Sequence, residues 1–186
     1  MNKRNVFITA TLMVLLIGVG SCKKDSSKSA SADGPKVSDA CQLISQTGAG
    51  SISGETYTSF ESKETASVGL KMCDYYTSDI GLFHIGLTQT LAITSTGIKT
   101  AKGFYDAMKA NYPNRTMVTG VGDEAFFDNA TGTIYILYTN DYYITINIKQ
   151  SYTPHSNNPW TAPQKDEKRK AAGMKAIEAL KKIVDK

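Results

Sequence analysis

The chain has 186 residues, of which 41% are hydrophobic and 20% are charged, and its formal net charge is +4. This composition is typical of a globular protein rather than of a disordered or collagen-like chain. The length accommodates one domain once an export segment is removed, which excludes a large multidomain enzyme and a membrane protein with many spans.

The first residues have the pattern of an export signal. Lys3 and Arg4 form a positive start, and residues 6–19 carry no charge. A membrane-spanning helix needs about 20 apolar residues, so this shorter segment is typical of a signal peptide. We therefore predict a signal peptide over residues 1–21.

The end of this segment, Val19-Gly20-Ser21-Cys22, resembles the lipobox of bacterial lipoproteins. The resemblance implies that the Cys22 sulfur receives a diacylglycerol and that the signal is cut just before this cysteine. Acyl chains then anchor the protein in a membrane, because each buried methylene contributes about 0.8 kcal/mol. An ordinary secretory signal with a chance cysteine is the alternative interpretation.

Residues 22–37 are rich in serine, alanine and lysine, which predicts a flexible, lipid-anchored tether. The Lys23-Lys24-Asp25 start resembles lipoproteins of the Bacteroidetes and implies an outer-membrane lipoprotein of the bacterial cell envelope. Whether it faces the periplasm or the cell surface stays open. Residues 38–186 are expected to form a single domain.

The domain begins with a helix-start signal, Ser38 followed by Asp39, because a hydroxyl caps a helix and an acid suits its N-terminal dipole. Gly48 and Gly50 weaken the continuation of this helix. Alternating residues then predict three strands, at 55–60, 68–76 and 83–93.

A helical stripe of apolar residues follows and is ended by Pro113: Ala101, Phe104, Tyr105, Met108 and Tyr112. Two strands at 133–138 and 142–149 come next, and Pro163 suits the first turn of a closing helix. The register of the last hairpin stays open, with either Leu137 or Tyr138 beside Ile144.

This order of elements predicts an α+β fold. Strands joined by short connections favour an antiparallel sheet, here of five to six strands, with the helices packed on one face and a closing C-terminal helix.

Two cysteines remain after lipidation, Cys41 and Cys73. An even pair in an oxidising compartment predicts a disulfide, which the chain-entropy model values at roughly 3–4 kcal/mol for this loop. A metal or redox pair is the alternative, but the chain has no Cys-x-x-Cys spacing.

The motifs of catalysis and cofactor binding are missing or incomplete. The segment 120–125 fits the letters of a dinucleotide pattern but is followed by turn and strand residues rather than by a helix. His84 has no carboxylate or serine at a recognisable motif spacing. We therefore predict no catalytic residue, no metal and no cofactor.

The basic charge is concentrated in the last 24 residues. Residues 163–186 carry 8 basic and 4 acidic side chains, whereas residues 38–162 carry 7 and 11. This distribution is typical of a lysine-rich helix on an acidic domain. We expect no nucleic-acid partner.

The chain contains ten tyrosines. Tyr142 and Tyr143 are adjacent in a predicted strand, so one ring should leave the core and could stack on a sugar or anchor a protein interface. We take this pair as the candidate binding surface, with ordinary strand-surface tyrosine as the alternative.

Three short motifs resemble small uncharacterised bacterial lipoproteins. The resemblance implies the fold, the lipid anchor and a disulfide bond between Cys41 and Cys73. It implies no catalytic residue. The motifs are Asp39-Ala40-Cys41-Gln42-Leu43-Ile44, Cys73-Asp74-Tyr75 and Gly120-Val121-Gly122-Asp123-Glu124-Ala125.

The sequence thus predicts a non-catalytic, membrane-anchored envelope lipoprotein with a binding or accessory role. Its partner is expected to be an envelope protein or a glycan. An inhibitor or chaperone-like partner of another secreted protein, and an enzyme whose site is assembled from scattered residues, are the alternatives.

Overall fold

The computed structural model describes Val37, residues 39–152 and residues 158–185. A 3-10 turn at Ala40–Gln42 leads to three helices: α1 (Gln46–Ser53), α2 (Ala101–Asn111) and α3 (Ala162–Val184). Seven strands complete the fold: β1 (Ser59–Thr65), β2 (Val68–Tyr76), β3 (Leu82–Ile93), β4 (Arg115–Val118), β5 (Glu124–Asp128), β6 (Ile134–Tyr138) and β7 (Tyr142–Lys149).

The strands form one antiparallel sheet in the order β1-β2-β3-β7-β6-β5-β4. The predicted α+β class and closing helix are confirmed, but five to six strands is too few. The sequence interpretation missed the hairpin of β4 and β5, whose connection carries Gly120 and Gly122 at φ 80° and 62°. Left-handed glycines are typical of turns, and the strands beside them are short, with four residues in β4 and five in β5.

Helices cover both faces of the sheet, so the expected packing on one face is wrong. The main core joins α1 and α3 to the isoleucines of β6 and β7. A second core lies on the opposite face, where α2 packs through Ala101 and Tyr105. The physical reason is that β5, β6 and β7 carry large apolar side chains on both faces, namely Phe126, Tyr135, Leu137 and Tyr143 on the second face.

The last hairpin has neither of the two registers that the sequence left open. Ile136 lies opposite Ile144, and Tyr138 lies opposite Tyr142. Thr139 has a φ of 47° in the connection, a conformation that a pattern of apolar residues does not reveal.

The start of the domain is held by a predicted disulfide, which is confirmed. Cys41 is bonded to Cys73 of β2 with a Cα–Cα distance of 5.2 Å. Asp39 caps the 3-10 turn by accepting from the Cys41 backbone N–H, and α1 begins later, after its own N-cap Ser45. The predicted first helix is therefore divided in two.

Val37 belongs to the folded domain although the sequence assigned it to the tether. It is fully buried. Its backbone N–H donates to Gln89 Oε1 at 2.8 Å, and Gln89 Nε2 donates to its carbonyl at 2.9 Å. A buried glutamine of β3 thus pairs with the backbone at the point where the domain begins.

Candidate functional site

Tyr142 and Tyr143, the predicted binding pair, are both buried. Their exposed fractions are 7% and 8%. The rings point to opposite faces, as neighbours in a strand must, but the main core receives Tyr142 and the core under α2 receives Tyr143. The expectation of an exposed ring is wrong because it assumed helices on one face only.

A different surface is available on the face that α2 covers only in part. α2 packs against β3, β6 and β7, whereas every residue of β1 is exposed. Between them lies a groove of about 620 Å³, which we call the open-face groove. The residues that line this groove include His84, Thr133, Tyr143, Thr145, Asn147 and Lys149.

An imidazole–carboxylate pair lies at this groove. Asp74 of β2 and His84 of β3 are direct cross-strand partners, and His84 Nδ1 lies 2.6 Å from Asp74 Oδ1. A carboxylate only accepts, so Nδ1 carries a proton, and an imidazole with this single ring proton accepts at Nε2. Among the described residues, Nε2 has no hydrogen-bond partner.

Gly86 lets Thr145 approach β3 closely beside that nitrogen. A Cβ atom at this position would collide with Thr145 Oγ1 and would lie 3.4 Å from His84 Nε2. Thr145 is the direct partner of Gly86 on β7. The missing side chain of Gly86 therefore allows the Thr145 hydroxyl to lie near the imidazole of His84 on the same face of the sheet.

Asn147 of β7 continues the row of polar side chains that Asp74 and His84 form on β2 and β3. It pairs with His84 in the register of β3 and β7, and its Nδ2 donates to Thr133 Oγ1 at 2.8 Å and to the Thr131 carbonyl at 3.3 Å. Its Oδ1 stays available to accept. Lys149 is exposed at the end of the same strand.

Two parallel aromatic rings, Tyr135 and Tyr143, line the groove, and the buried ring of Phe126 stacks behind them. Phe126 stacks on Tyr135 at 4.8 Å, and Tyr135 stacks on Tyr143 at 6.3 Å between ring centroids. Burial raises the pKa of Tyr135 and of Tyr143. Both phenols therefore stay uncharged at physiological pH.

The acidic residues near the glycine pattern have structural partners. Glu124 begins β5 and pairs with Lys109 of α2. Asp128 accepts from the backbone N–H groups of Ala130 and Thr131, as a turn-capping carboxylate does. A strand follows the glycines, so this segment lacks the helix N-terminus that a dinucleotide site requires.

Sequence reasoning missed the groove because its residues are far apart in the chain. In the sequence, His84 has no carboxylate at a motif spacing. In the structure, the register of β2 and β3 places Asp74 directly opposite it. A signal was present, since Asp74, His84 and Asn147 each alternate with buried apolar residues. Only the strand order shows that the three lie in one row.

Comparison of the chain with known protein families, with curated proteins and with solved structures finds no match. Within the described part of the chain, no group of three metal-ligating side chains forms a candidate metal site. The helices described there are too short or too polar to cross a membrane. Residues 1–21 and Cys22 lie outside the described residues.

Proposed function

We propose that this protein is a lipid-anchored, non-catalytic binding protein of the bacterial cell envelope. Cys22 carries the lipid that holds the protein at the outer membrane, and the open-face groove receives the ligand. The partners are the membrane and an envelope ligand, with no nucleic acid.

The observation that carries this proposal is the groove itself. His84 and Thr145 both line this groove, and His84 Nε2 and Thr145 Oγ1 lie beside Gly86 on the same face of the sheet. Neither atom has a hydrogen-bond partner among the described residues. Binding sites combine a few convergent polar groups with apolar walls, and the ring of Tyr143 supplies such a wall.

The tether suits a binding role. The serine- and lysine-rich composition of residues 23–36 predicts a tether, and a flexible chain of about fourteen residues has a root-mean-square length of about 20 Å. A domain on such a tether samples the membrane surface around its anchor while it stays attached.

One observation favours a second function, hydrolysis. An imidazole held by a carboxylate, as His84 is by Asp74 at 2.6 Å, is the arrangement of a general base. A covalent hydrolase mechanism also needs a side-chain nucleophile within hydrogen-bond reach of Nε2, and the described side chains place none there. Binding is therefore the better supported function.

The test is amide chemical-shift mapping on the ¹⁵N-labelled full chain with soluble envelope glycan and envelope protein fractions. We expect shifts in β3, β6 and β7 around the groove, no chemical conversion of the added material, and loss of the shifts in Asn147→Trp, which fills the groove. Met174→Ser on the exposed side of α3 is the matched control.

Shifts centred on α3 would refute the groove as the binding surface. Conversion of the added material that disappears in His84→Ala would establish hydrolysis in place of binding.

A further inference from the structure

We infer that the ligand of the open-face groove is a neutral saccharide whose hydroxyl groups pair with His84, Thr145 and Asn147. This inference rests on the proposed binding function and names the ligand class of the same site. Three properties of the groove support it: its charge, the kind of hydrogen-bonding groups it presents, and its position on the face of a fully paired part of the sheet.

The formal charges at the groove nearly cancel. Asp74 supplies a negative charge behind His84, and Lys149 supplies a positive charge at the end of β7. The carboxylate opposes an anionic ligand, and the ammonium group opposes a cationic one. An uncharged ligand meets neither penalty.

The polar groups of the groove are of the kind that both donate and accept. Threonine hydroxyls, the asparagine amide and the imidazole share this property. Thr133 Oγ1 already accepts from Asn147 Nδ2 at 2.8 Å, which leaves Asn147 Oδ1 as an acceptor. A sugar hydroxyl also donates and accepts, so it satisfies each of these groups without carrying a charge.

An extended peptide is the competing ligand, and the groove is poorly placed for one. Peptides add to free sheet edges, because an edge presents unpaired backbone groups. β3 and β7 lie inside the sheet with a neighbour on each side. The groove thus offers side-chain hydrogen bonds, which suit the hydroxyl groups of a sugar. It also offers the row of aromatic rings that ends at Tyr143, which suits the C–H faces of a sugar.

The test uses the full chain in a detergent without a sugar headgroup and titrates it with neutral trisaccharides of glucose, galactose, mannose and N-acetylglucosamine. At least one is expected to bind with amide shifts at the groove. Thr145→Val removes a hydroxyl at nearly constant shape, and we expect it to weaken binding about tenfold, the value of one good hydrogen bond. His84→Ala and Gly86→Ala should weaken binding by at least as much.

Met174→Ser is the control and should bind as the wild type does. If His84→Ala or Gly86→Ala fails to fold, the Thr145→Val result decides. A neutral saccharide whose affinity does not change in Thr145→Val contradicts the inference. Acidic oligosaccharides or envelope peptides that bind at the groove when no neutral saccharide does also contradict it, and they leave the proposed binding function standing. If no probe shifts the groove, both proposals fall.

Discussion

Two buried tyrosines, one in each core of this protein, differ in whether the phenol hydroxyl has a hydrogen-bond partner. Tyr75 in the main core donates its phenol O–H to the carbonyl of Ile44 at 2.7 Å. Tyr105 in the second core is fully buried, and its hydroxyl has no partner among the described residues. The two tyrosines therefore form a matched pair for measuring the value of one buried hydrogen bond.

We expect Tyr75→Phe to lower the free energy of unfolding by about 1 kcal/mol, because it removes a buried hydrogen bond and leaves a carbonyl less satisfied. Tyr105→Phe should leave this free energy unchanged or raise it, since the lost hydroxyl has no bond to break. Urea denaturation of both variants measures the difference. Equal losses in the two variants would contradict this assignment of partners.

The buried phenols also predict how stability depends on alkaline pH. Burial raises the pKa of Tyr57 and of Tyr75 from 10.0 to about 12. Below pH 10 the folded and unfolded chains both keep these protons, so the stabilisation is complete. As the pH rises from 10 through 12, the unfolded chain loses the protons first, and folding is progressively disfavoured.

We therefore expect the melting temperature to fall steeply between pH 10 and 12. Phenolate absorbance at 295 nm should rise together with loss of the folded circular dichroism signal. Full tyrosine ionisation near pH 10 in a chain that stays folded would show that these phenols are not buried.

At the scale of secondary-structure elements, the disulfide joins the 3-10 turn to β2 across 32 positions of sequence. Cys73 is fully buried, so the bond lies against the main core. The segment between the two cysteines contains α1 and β1, and this loop gains freedom in the unfolded chain when the bond is absent.

Replacement of both cysteines, Cys41→Ala with Cys73→Ala, is expected to lower the free energy of unfolding by about 3–4 kcal/mol. Guanidinium denaturation of the double variant measures this loss, and reduction of the wild type should reproduce most of it. The single variant Cys22→Ala serves as the control and should keep the wild-type midpoint. An unchanged midpoint on reduction would show that the bond does not stabilise the domain.

At the scale of the whole molecule, the proposed lipid anchor would set where the domain works. The ending Val19-Gly20-Ser21-Cys22 predicts an acylated amino terminus at Cys22, because the family it resembles is modified at this cysteine. We expect mass spectrometry of the membrane fraction to find an acylated peptide that starts at Cys22. In Cys22→Ala the protein should leave that fraction, and a soluble wild-type protein that starts at another residue would contradict the prediction.

Much of the fold was predictable from local patterns. The strands around Cys73, Phe83 and Ile144 follow from the alternation of buried and half-buried residues, and the α2 and α3 boundaries follow from caps and prolines. These signals are local, because the period of a strand or helix is set within a few residues. The disulfide was predicted from the even number of cysteines that remain after the predicted lipidation of Cys22.

The sequence by itself thus determined the class of the fold, the closing helix and the disulfide. Only the tertiary structure decided which face of the sheet α2 covers, and with it the burial of Tyr143 and the open groove lined by His84 and Thr145. Likewise, only the register placed Asp74 next to His84. The physical reason is that strand order and the choice of sheet face depend on contacts between residues far apart in the chain, which periodicity does not encode.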